Sequence, residues 1–240
     1  MARRQPPRSN QSPQDVTNTL EVDGLARRFS GAASPALGGV SFSCGAGDTV
    51  LLAGPSGSGK STLLNILGGL DRADGGTVRF RGRSITALGE GALAQYRARE
   101  VGIVFQHHLL PPGLLAREAV AAPLLWARGL SPAVALAAAD DLLRRLGLDA
   151  AECRRPVQNL SGGQRQRVAF ARAIAPEPTM LLADEPTAQL DDESAARVVE
   201  LLTAWAAEEG RILIIASHHP LPGLPAPAQT IRLKDGKRES

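Results

Sequence analysis

The apolar residues of this sequence fall into short runs typical of strands and longer periodic stripes typical of helices. Three β-rich runs follow one another from residue 19 to about 59, namely TLEVDGL, GGVSFSC and DTVLLA, the last of which suits a strand buried on both faces. Two later apolar runs, MLLA at 180–183 and ILIIA at 212–216, predict two more buried strands. Because helical segments alternate with these strands, the pattern predicts a parallel sheet.

Helical periodicity is strongest in the middle of the chain, where the residue pattern predicts mainly helices from about 90 to 158. Within it, Ser131-Pro132 opens an apolar stripe of 3.6-residue period that ends at Gly147. Another amphipathic helix is predicted from about Asp192 to Glu208. After His218, four prolines predict that any helix is shortened or absent, since proline cannot continue a helix interior. They are Pro220, Pro222, Pro225 and Pro227.

The composition, 43% hydrophobic and 21% charged over 240 residues, is that of one or two globular domains. Residues 1–18 carry almost nothing to bury, so we expect a disordered tail. The net charge is +3, and residues 1–20 contribute +2 of it with three Arg and one Asp. The remaining +1 does not argue for nucleic-acid binding, and no nucleic-acid partner is expected.

The sequence also predicts where the protein works. No apolar run approaches the roughly 18 residues of a membrane span, and the N-terminus lacks the apolar segment of a secretion signal. Cys44 and Cys153 are isolated and lack metal-ligand spacing. We therefore expect a cytoplasmic protein whose membrane contact is peripheral or through a partner.

A glycine-rich phosphate-binding motif follows the third strand run and opens a helix predicted from Lys60 to Leu70. The motif fits GxxxxGK[ST] and comprises Gly54, Pro55, Ser56, Gly57, Ser58, Gly59, Lys60 and Ser61, with Thr62 next. Its glycines let successive backbone N–H groups turn toward one anion, and the helix N-terminus adds its dipole. Lys60 supplies a charge for the β/γ-phosphates, and the Ser61 hydroxyl is a ligand for Mg²⁺.

Two carboxylates end the strand MLLA, and a second glycine motif precedes it. At the carboxyl end of a parallel strand, Asp184 could hold Mg²⁺ and Glu185 could polarise water, although alone the pair would read as a solvated junction. In Leu160–Gln164, Ser161 is a natural N-cap, and the paired glycines could open backbone amides toward an anion. Alone, this motif would read as a capped helix.

Together these motifs resemble the ATP-binding cassette (ABC) ATPases, with LSGGQ at 160–164, ahead of MLLADEPT at 180–187, as the family's signature. Phe29 resembles the aromatic that stacks on adenine, although it could equally be a core residue. Gln106 resembles the glutamine that links Mg²⁺ to the transporter contact. Asp191 resembles an aspartate that crosses a dimer interface, and His218 the switch histidine on the γ-phosphate. The match covers about 19–236 as one domain and is greatest to the lipoprotein-releasing, macrolide-export and cell-division transporter ATPases.

This resemblance implies an α/β fold, a P-loop NTPase core with an antiparallel β subdomain and an inserted α-helical subdomain at about 90–158. It implies hydrolysis of ATP with Mg²⁺ held by Ser61 and Gln106, and by Asp184 through water. Catalysis would be carried out by Lys60, Glu185 and His218. The nucleotide-binding site of one protomer would be completed by the signature motif of a second protomer in a head-to-tail dimer. These signature residues are Ser161, Gly162, Gly163 and Gln164.

The resemblance also implies integral membrane subunits as partners, which would hold the protein on the cytoplasmic face of the inner membrane. The alternative is a soluble ABC ATPase acting on DNA or ribosomes, although the chain lacks the long insertion or tandem cassettes of those proteins. A P-loop kinase would share Lys60 but would not explain LSGGQ. The apolar loop Leu109–Leu115 could pack within the helical region or dock on a partner.

Overall fold

The computed structural model describes residues 19–188, 190–208 and 210–239, so the predicted tail at 1–18 lies outside the described residues. The strands are β1 (Leu20–Arg27), β2 (Leu37–Cys44), β3 (Thr49–Ala53), β4 (Gly75–Phe80), β5 (Arg83–Ser84), β6 (Val101–Val104), β7 (Met180–Asp184), β8 (Ile212–Ser217), β9 (Gln229–Lys234) and β10 (Lys237–Arg238). The helices are α1 (Lys60–Leu67), α2 (Glu90–Arg99), α3 (Ala116–Arg128), α4 (Pro132–Arg145), α5 (Ala150–Cys153), α6 (Gly162–Ile174) and α7 (Asp192–Ala206).

An antiparallel sheet with the strand order β2-β1-β4-β5 forms one layer. Buried and exposed residues alternate along much of β1 and β2, as expected for a sheet with one face on the core. In register, Leu20 lies opposite Cys44 of β2 and Phe80 of β4. The strands of this sheet do not all come before the central sheet in sequence, because β4 and β5 join it only after the chain has passed through β3 and α1.

The second sheet has the order β10-β9-β3-β8-β7-β6 and is parallel from β9 to β6, as the sequence predicts. Every residue of β8 is buried, and so are the first four of β7. The prediction for β3 was wrong in part, because Val50 and Leu52 are buried while Leu51 is half-buried. Helix α1 packs on this sheet through Leu63 and Leu67.

A separate helical cluster begins at Ala116 and joins α3, α4 and α5 to α6 through residues such as Val120, Leu143 and Val168. The helical subdomain was predicted to begin earlier, at about residue 90, and to extend to about residue 158. Helix α2 and β6 lie within that interval, yet Tyr96 and Val101 pack in the same cluster as α1. Strand β6 is hydrogen-bonded to β7, so this part of the interval belongs to the central sheet.

The proline-rich segment after β8 contains no helix, which confirms the prediction for residues 218–228, all of which the structure describes. Leu221 and Leu224 instead pack against the cluster that includes α7. Among the helices of the described residues, none combines the length and apolar character needed to cross a membrane.

Candidate active site

The carboxyl ends of four parallel strands bring the predicted site residues to one edge of the central sheet. Ala53 of β3 pairs with Ser217 of β8, so Gly54 and His218 leave adjacent strands at the same level. Asp184 of β7 pairs with Ala216, and Val104 of β6 pairs with Ala183. The loops that carry Lys60, Glu185, His218 and Gln106 therefore begin side by side, the arrangement in which parallel α/β sheets bind ligands.

The phosphate loop has a backbone that requires glycine at two positions. Gly54 has φ 148° and Gly59 has φ 102°, both unfavourable for residues with a side chain. A Cβ at Gly54 would lie 2.1 Å from the Leu233 carbonyl oxygen, and one at Gly59 would lie 2.3 Å from that of Ala36. The loop therefore holds this shape through close backbone approach. No side chain caps α1, so the N–H groups of its first turn remain available to an anion.

Lys60 is buried at the start of α1, and its ammonium group is bound by the loop itself. Its Nζ donates to the carbonyl oxygens of Gly54 and Pro55, at 2.8 and 3.0 Å. The same Nζ lies 3.7 Å from Oε1 of Glu185. The cation is thus placed between the phosphate loop and the acidic end of β7.

A polar cavity of about 190 Å³ joins most of the predicted catalytic residues. Its lining consists of Ala36, Ser56, Gly57, Gly59, Lys60, Ser61, Thr62, Gln106, Glu185 and His218. The phosphate loop, Gln106, Glu185 and His218 therefore face one cavity. Of these lining residues, only Ala36 was not singled out by the sequence, since nothing in its local pattern indicates a site.

Glu185 is almost fully buried and makes three polar contacts in this cavity, the one with Lys60 described above and two with His218. Its Oε1 lies 2.8 Å from His218 Nδ1, and its Oε2 accepts the His218 N–H at 3.3 Å. Its backbone has φ 47°, a left-handed conformation that is uncommon for a residue with a side chain. Such strain concentrates at functional sites, where surrounding contacts hold it. Here the Glu185 N–H donates to the Ala216 carbonyl oxygen at 2.9 Å.

Asp184 has the properties of a metal-binding carboxylate. Burial raises the pKa of its carboxyl group and the charge of Glu185 adds to this, while a hydrogen bond from Ser61 and the charge of Lys60 act in the opposite direction. Its Oδ1 is buried and has no hydrogen-bond partner among the described residues. A hard cation would satisfy that oxygen, and Ser61, Gln106 and Asp184 provide the oxygen ligands that Mg²⁺ prefers.

The second glycine motif forms a capping box at the start of α6. Ser161 Oγ accepts the Gln164 N–H at 3.2 Å, and Gln164 Oε1 accepts the Ser161 N–H at 2.8 Å. Apart from adjacent residues and the nearby backbone of α6 itself, no described atom lies within 4 Å of the position that a Cβ would take at Gly162 or Gly163. This motif does not line the cavity of the phosphate loop, so within the described residues of one chain the two glycine motifs form separate surfaces.

Phe29 and Asp191 also lie outside that cavity. Phe29 is exposed, so the alternative of a core aromatic was wrong. The Arg27 guanidinium carbon lies 4.8 Å from the centre of its ring. Asp191 caps α7, its Oδ1 accepting the Ser194 N–H at 2.9 Å, and this hydrogen bond lowers the pKa of its carboxyl group.

An apolar groove of about 500 Å³, called here the α3 groove, runs between the helical cluster and the central sheet. Its lining includes Leu70, Ile103, Leu109, Leu114, Trp126 and Arg172. Of the two alternatives for the loop after Gln106, packing within the helical region holds for Leu110, which packs against the helical cluster. Leu109 instead faces the groove and is 57% exposed, and docking of the loop on a partner stays a prediction. The sequence analysis missed Trp126, which is 85% exposed. Its position off the buried stripe of α3 is the signal that could have found it.

Comparisons with known proteins agree with this architecture. The family model described as ABC transporter matches residues 37–188. The lipoprotein-releasing system ATP-binding protein LolD of Anaeromyxobacter dehalogenans is 45% identical over 207 residues, which are 85% of this chain and 86% of that protein. The macrolide export ATP-binding/permease protein MacB of Marinobacter nauticus is 43% identical over 220 residues, 91% of this chain but 34% of that protein.

A solved structure extends the likeness to the whole fold. The ATP-binding cassette MJ0796, a dimer in a post-hydrolysis state bound to ADP and Pi, superposes with a TM-score of 0.85 at 33% identity, covering 92% of this chain and 97% of that one. The P-loop α/β fold and the family resemblance are thereby confirmed. The chain belongs to the ABC transporter family, and it is one of that family's ATP-hydrolysing cassettes.

Proposed function

We propose that this chain hydrolyses Mg·ATP as the energy-coupling subunit of a membrane transporter, with its catalytic groups in the cavity at the end of the central sheet. One observation carries the catalytic part of the proposal. The buried carboxylate of Glu185 faces the same small cavity as the phosphate loop, Gln106 and His218. A carboxylate held beside a phosphate-binding loop is positioned to act on a water that attacks the terminal phosphate.

The phosphate loop, Glu185, His218 and Phe29 have different roles in this reaction. Lys60 and the amides of the loop bind the β- and γ-phosphates and stabilise the charge of the transferring group. Glu185 orients the attacking water and accepts its proton. His218, 2.8 Å from Glu185 through Nδ1, holds that carboxylate in place and contacts the γ-phosphate. The exposed Phe29 stacks on the adenine ring, which leaves the nucleotide between β1 and the phosphate loop.

Ser61, Gln106 and Asp184 would hold the Mg²⁺ ion. The buried, unpartnered Oδ1 of Asp184 and the set of oxygen donors fit this ion. When bound, Mg²⁺ neutralises charge on the β- and γ-phosphates. Asp184 would bind the ion as a carboxylate, and the charge of the ion would oppose the burial that raises the pKa of this carboxyl group.

A second copy of the chain completes the site through the signature motif and Asp191. Gly162 and Gly163 are the first two residues of α6. Neither contacts another part of the described chain closely enough to exclude a side chain, and neither has a positive φ. A requirement for glycine there is explained if another molecule, the nucleotide held by a partner protomer, approaches the backbone. The dimeric arrangement of the cassette MJ0796 supports this.

The α3 groove is the proposed contact with an integral membrane subunit. It is apolar, its Trp126 side chain is almost fully exposed, and it adjoins the loop that follows Gln106. An exposed aromatic in an apolar groove is typical of a protein–protein contact. In MacB the ATP-binding part and a permease share one polypeptide, which supports a permease as the partner here.

Placing aspartate at Leu70 and Trp126, which both line the α3 groove, is expected to abolish membrane association without changing ATP hydrolysis. Both side chains are exposed, so the double variant should fold, whereas a carboxylate in an apolar contact opposes its burial. The measurement is recovery of tagged protein, with one integral membrane protein, from detergent-solubilised membranes, alongside the basal ATPase rate.

Val134→Asp is the matched control, because Val134 is 52% exposed on α4 and does not line the groove. This control should remain bound to membranes. If the Leu70/Trp126 variant folds and still binds membranes normally, the groove is not the docking surface, and the alternative of a soluble ATPase gains support.

A further inference from the structure

We infer that Arg172 is a positioning residue for ATP hydrolysis, which fixes the loop after Gln106 to the helix of the signature motif. The inference rests on the role proposed above for Gln106 at the nucleotide. Arg172 lies in α6, the helix that Ser161 caps, and lines the α3 groove. The sequence analysis did not single it out, because an arginine in an amphipathic helix ordinarily indicates a solvated face.

Arg172 binds two consecutive carbonyl groups of the loop through different nitrogens. Its Nη1 donates to the Leu109 oxygen at 2.6 Å, and its Nη2 donates to the His108 oxygen at 2.8 Å. Burial lowers the pKa of this guanidinium, so the two carbonyl oxygens replace part of its hydration. A planar fork that reaches two acceptors at once is specific to arginine.

The two residues held in this way have an unfavourable backbone. His108 has φ 59° and Leu109 has φ 46°, left-handed values that residues with a Cβ rarely adopt, still less in succession. Such a conformation persists only where neighbouring contacts determine it. Both carbonyl groups point at Arg172, so the guanidinium stabilises this conformation together with two backbone hydrogen bonds, from the His108 N–H to the Phe105 oxygen at 3.0 Å and from the Leu109 N–H to the His107 oxygen at 2.6 Å.

The other end of the same loop is also bound to the chain that leads into the signature. The Val157 N–H donates to the Leu114 oxygen at 3.0 Å, and the Gly113 N–H donates to Gln158 Oε1 at 2.9 Å. Residues 157 and 158 lie just before Ser161. Both ends of the loop are therefore hydrogen-bonded to the helical cluster or to the segment before Ser161, while Gln106 lines the cavity of the phosphate loop.

This geometry makes Arg172 a link between the two glycine motifs of one chain, beside the hydrogen bonds that join Gly113 and Leu114 to residues 157 and 158. A change in the position of Gln106 when nucleotide binds would be passed through the stiffened residues 108 and 109 to α6, and so to the signature presented to the partner protomer. Without Arg172, the two left-handed residues would relax, and Gln106 would no longer be fixed relative to α6.

Arg172→Met is expected to lower kcat for basal ATP hydrolysis about tenfold, the scale expected for losing two charge-assisted hydrogen bonds that position a catalytic group. The Kd for ATP measured without Mg²⁺ should change less than about twofold, because Arg172 does not touch the phosphate loop.

Arg97→Met is the matched control. Arg97 also lines the α3 groove and donates to a backbone carbonyl group, that of Gly69 at 2.7 Å, but among the described contacts it touches neither the Gln106 loop nor the signature motif. Each variant loses an arginine that binds a backbone carbonyl group, yet kcat should fall only for Arg172→Met. An equal fall in kcat for the two variants would show that Arg172 matters only for the stability of the fold.

The decisive measurement combines Arg172→Met with Gln106→Ala. If Arg172 acts through Gln106, the double variant is no slower than Gln106→Ala alone, whereas independent effects would multiply. A multiplied loss overturns the inference. So does a normal kcat for Gln106→Ala, which would at the same time remove the proposed role of Gln106, while ATPase activity itself would stand.

Arg172→Lys keeps the test decisive if the Met variant does not fold. Lysine retains the charge but not the two-nitrogen fork, so its kcat should lie several-fold below that of the unmodified chain. Full activity of Arg172→Lys would show that only the charge is needed and would contradict the positioning role.

Discussion

Replacing Glu185 with Gln is expected to lower the ATPase rate by about 10²–10⁴-fold, the usual contribution of a general base. The amide keeps the shape of the side chain and can still accept the hydrogen bond from the His218 N–H, but it cannot take a proton from water. ATP binding should therefore persist, because the phosphate loop and Lys60 are unchanged. Steady-state hydrolysis and titration with a fluorescent ATP analogue would separate the two effects.

Glu177→Gln is the control for the loss of one carboxylate. Glu177 precedes β7 while Glu185 follows it, so the two lie at opposite ends of the same strand. Glu177 is largely exposed and pairs only with Arg128 at 2.6 Å among the contacts described. This variant should hydrolyse ATP at a normal rate. A near-normal rate for Glu185→Gln would instead place the base elsewhere, with His218 as the first candidate.

The parts of the site that sequence could predict are those fixed by short-range backbone geometry. Gly54 and Gly59 have φ values of 148° and 102°, which favour glycine in the backbone of the loop itself. Ser161 and Gln164 form a capping box whose two hydrogen bonds span only three residues. In both cases the spacing along the chain determines the structure, and the prediction follows from it.

The parts that sequence could not predict depend on contacts between distant segments. The pairing of β4 with β1 is set by the burial of Val78 and Phe80 against the core, not by any local signal. The contact between Glu185 and His218 exists because β7 and β8 are neighbours in the sheet. Arg172 illustrates the same limit, since its partners at 108 and 109 lie more than sixty residues away along the chain.

The second large effect is expected for Gly163→Asp, which should lower the ATPase rate by about 10²-fold or more while leaving the protomer as stable as before. No described atom lies near the position of the new Cβ, and an acidic residue in the first turn favours a helix. The loss would therefore arise outside the protomer, where the carboxylate repels the phosphates of a nucleotide bound by the partner. Rates and melting temperatures check the two halves of this expectation.

Mixing two inactive variants tests most directly whether a second copy completes the site. Lys60→Met lacks a working phosphate loop but keeps the signature, and Gly163→Asp has the opposite defect. In a mixed head-to-tail dimer, one site combines the intact phosphate loop of one chain with the intact signature of the other. Mixing Lys60→Met with Glu185→Gln is the control, because both changes affect the same half of the site and no mixed dimer has an intact one.

The measurement is the ATPase rate of equal mixtures of these purified variants. The account predicts that Lys60→Met with Gly163→Asp recovers up to about a quarter of the unmodified rate, since half of random dimers are mixed and each has one intact site. The control mixture should recover nothing. Failure of the first mixture to recover any activity, or full activity of Gly163→Asp alone, would contradict a site shared between two chains.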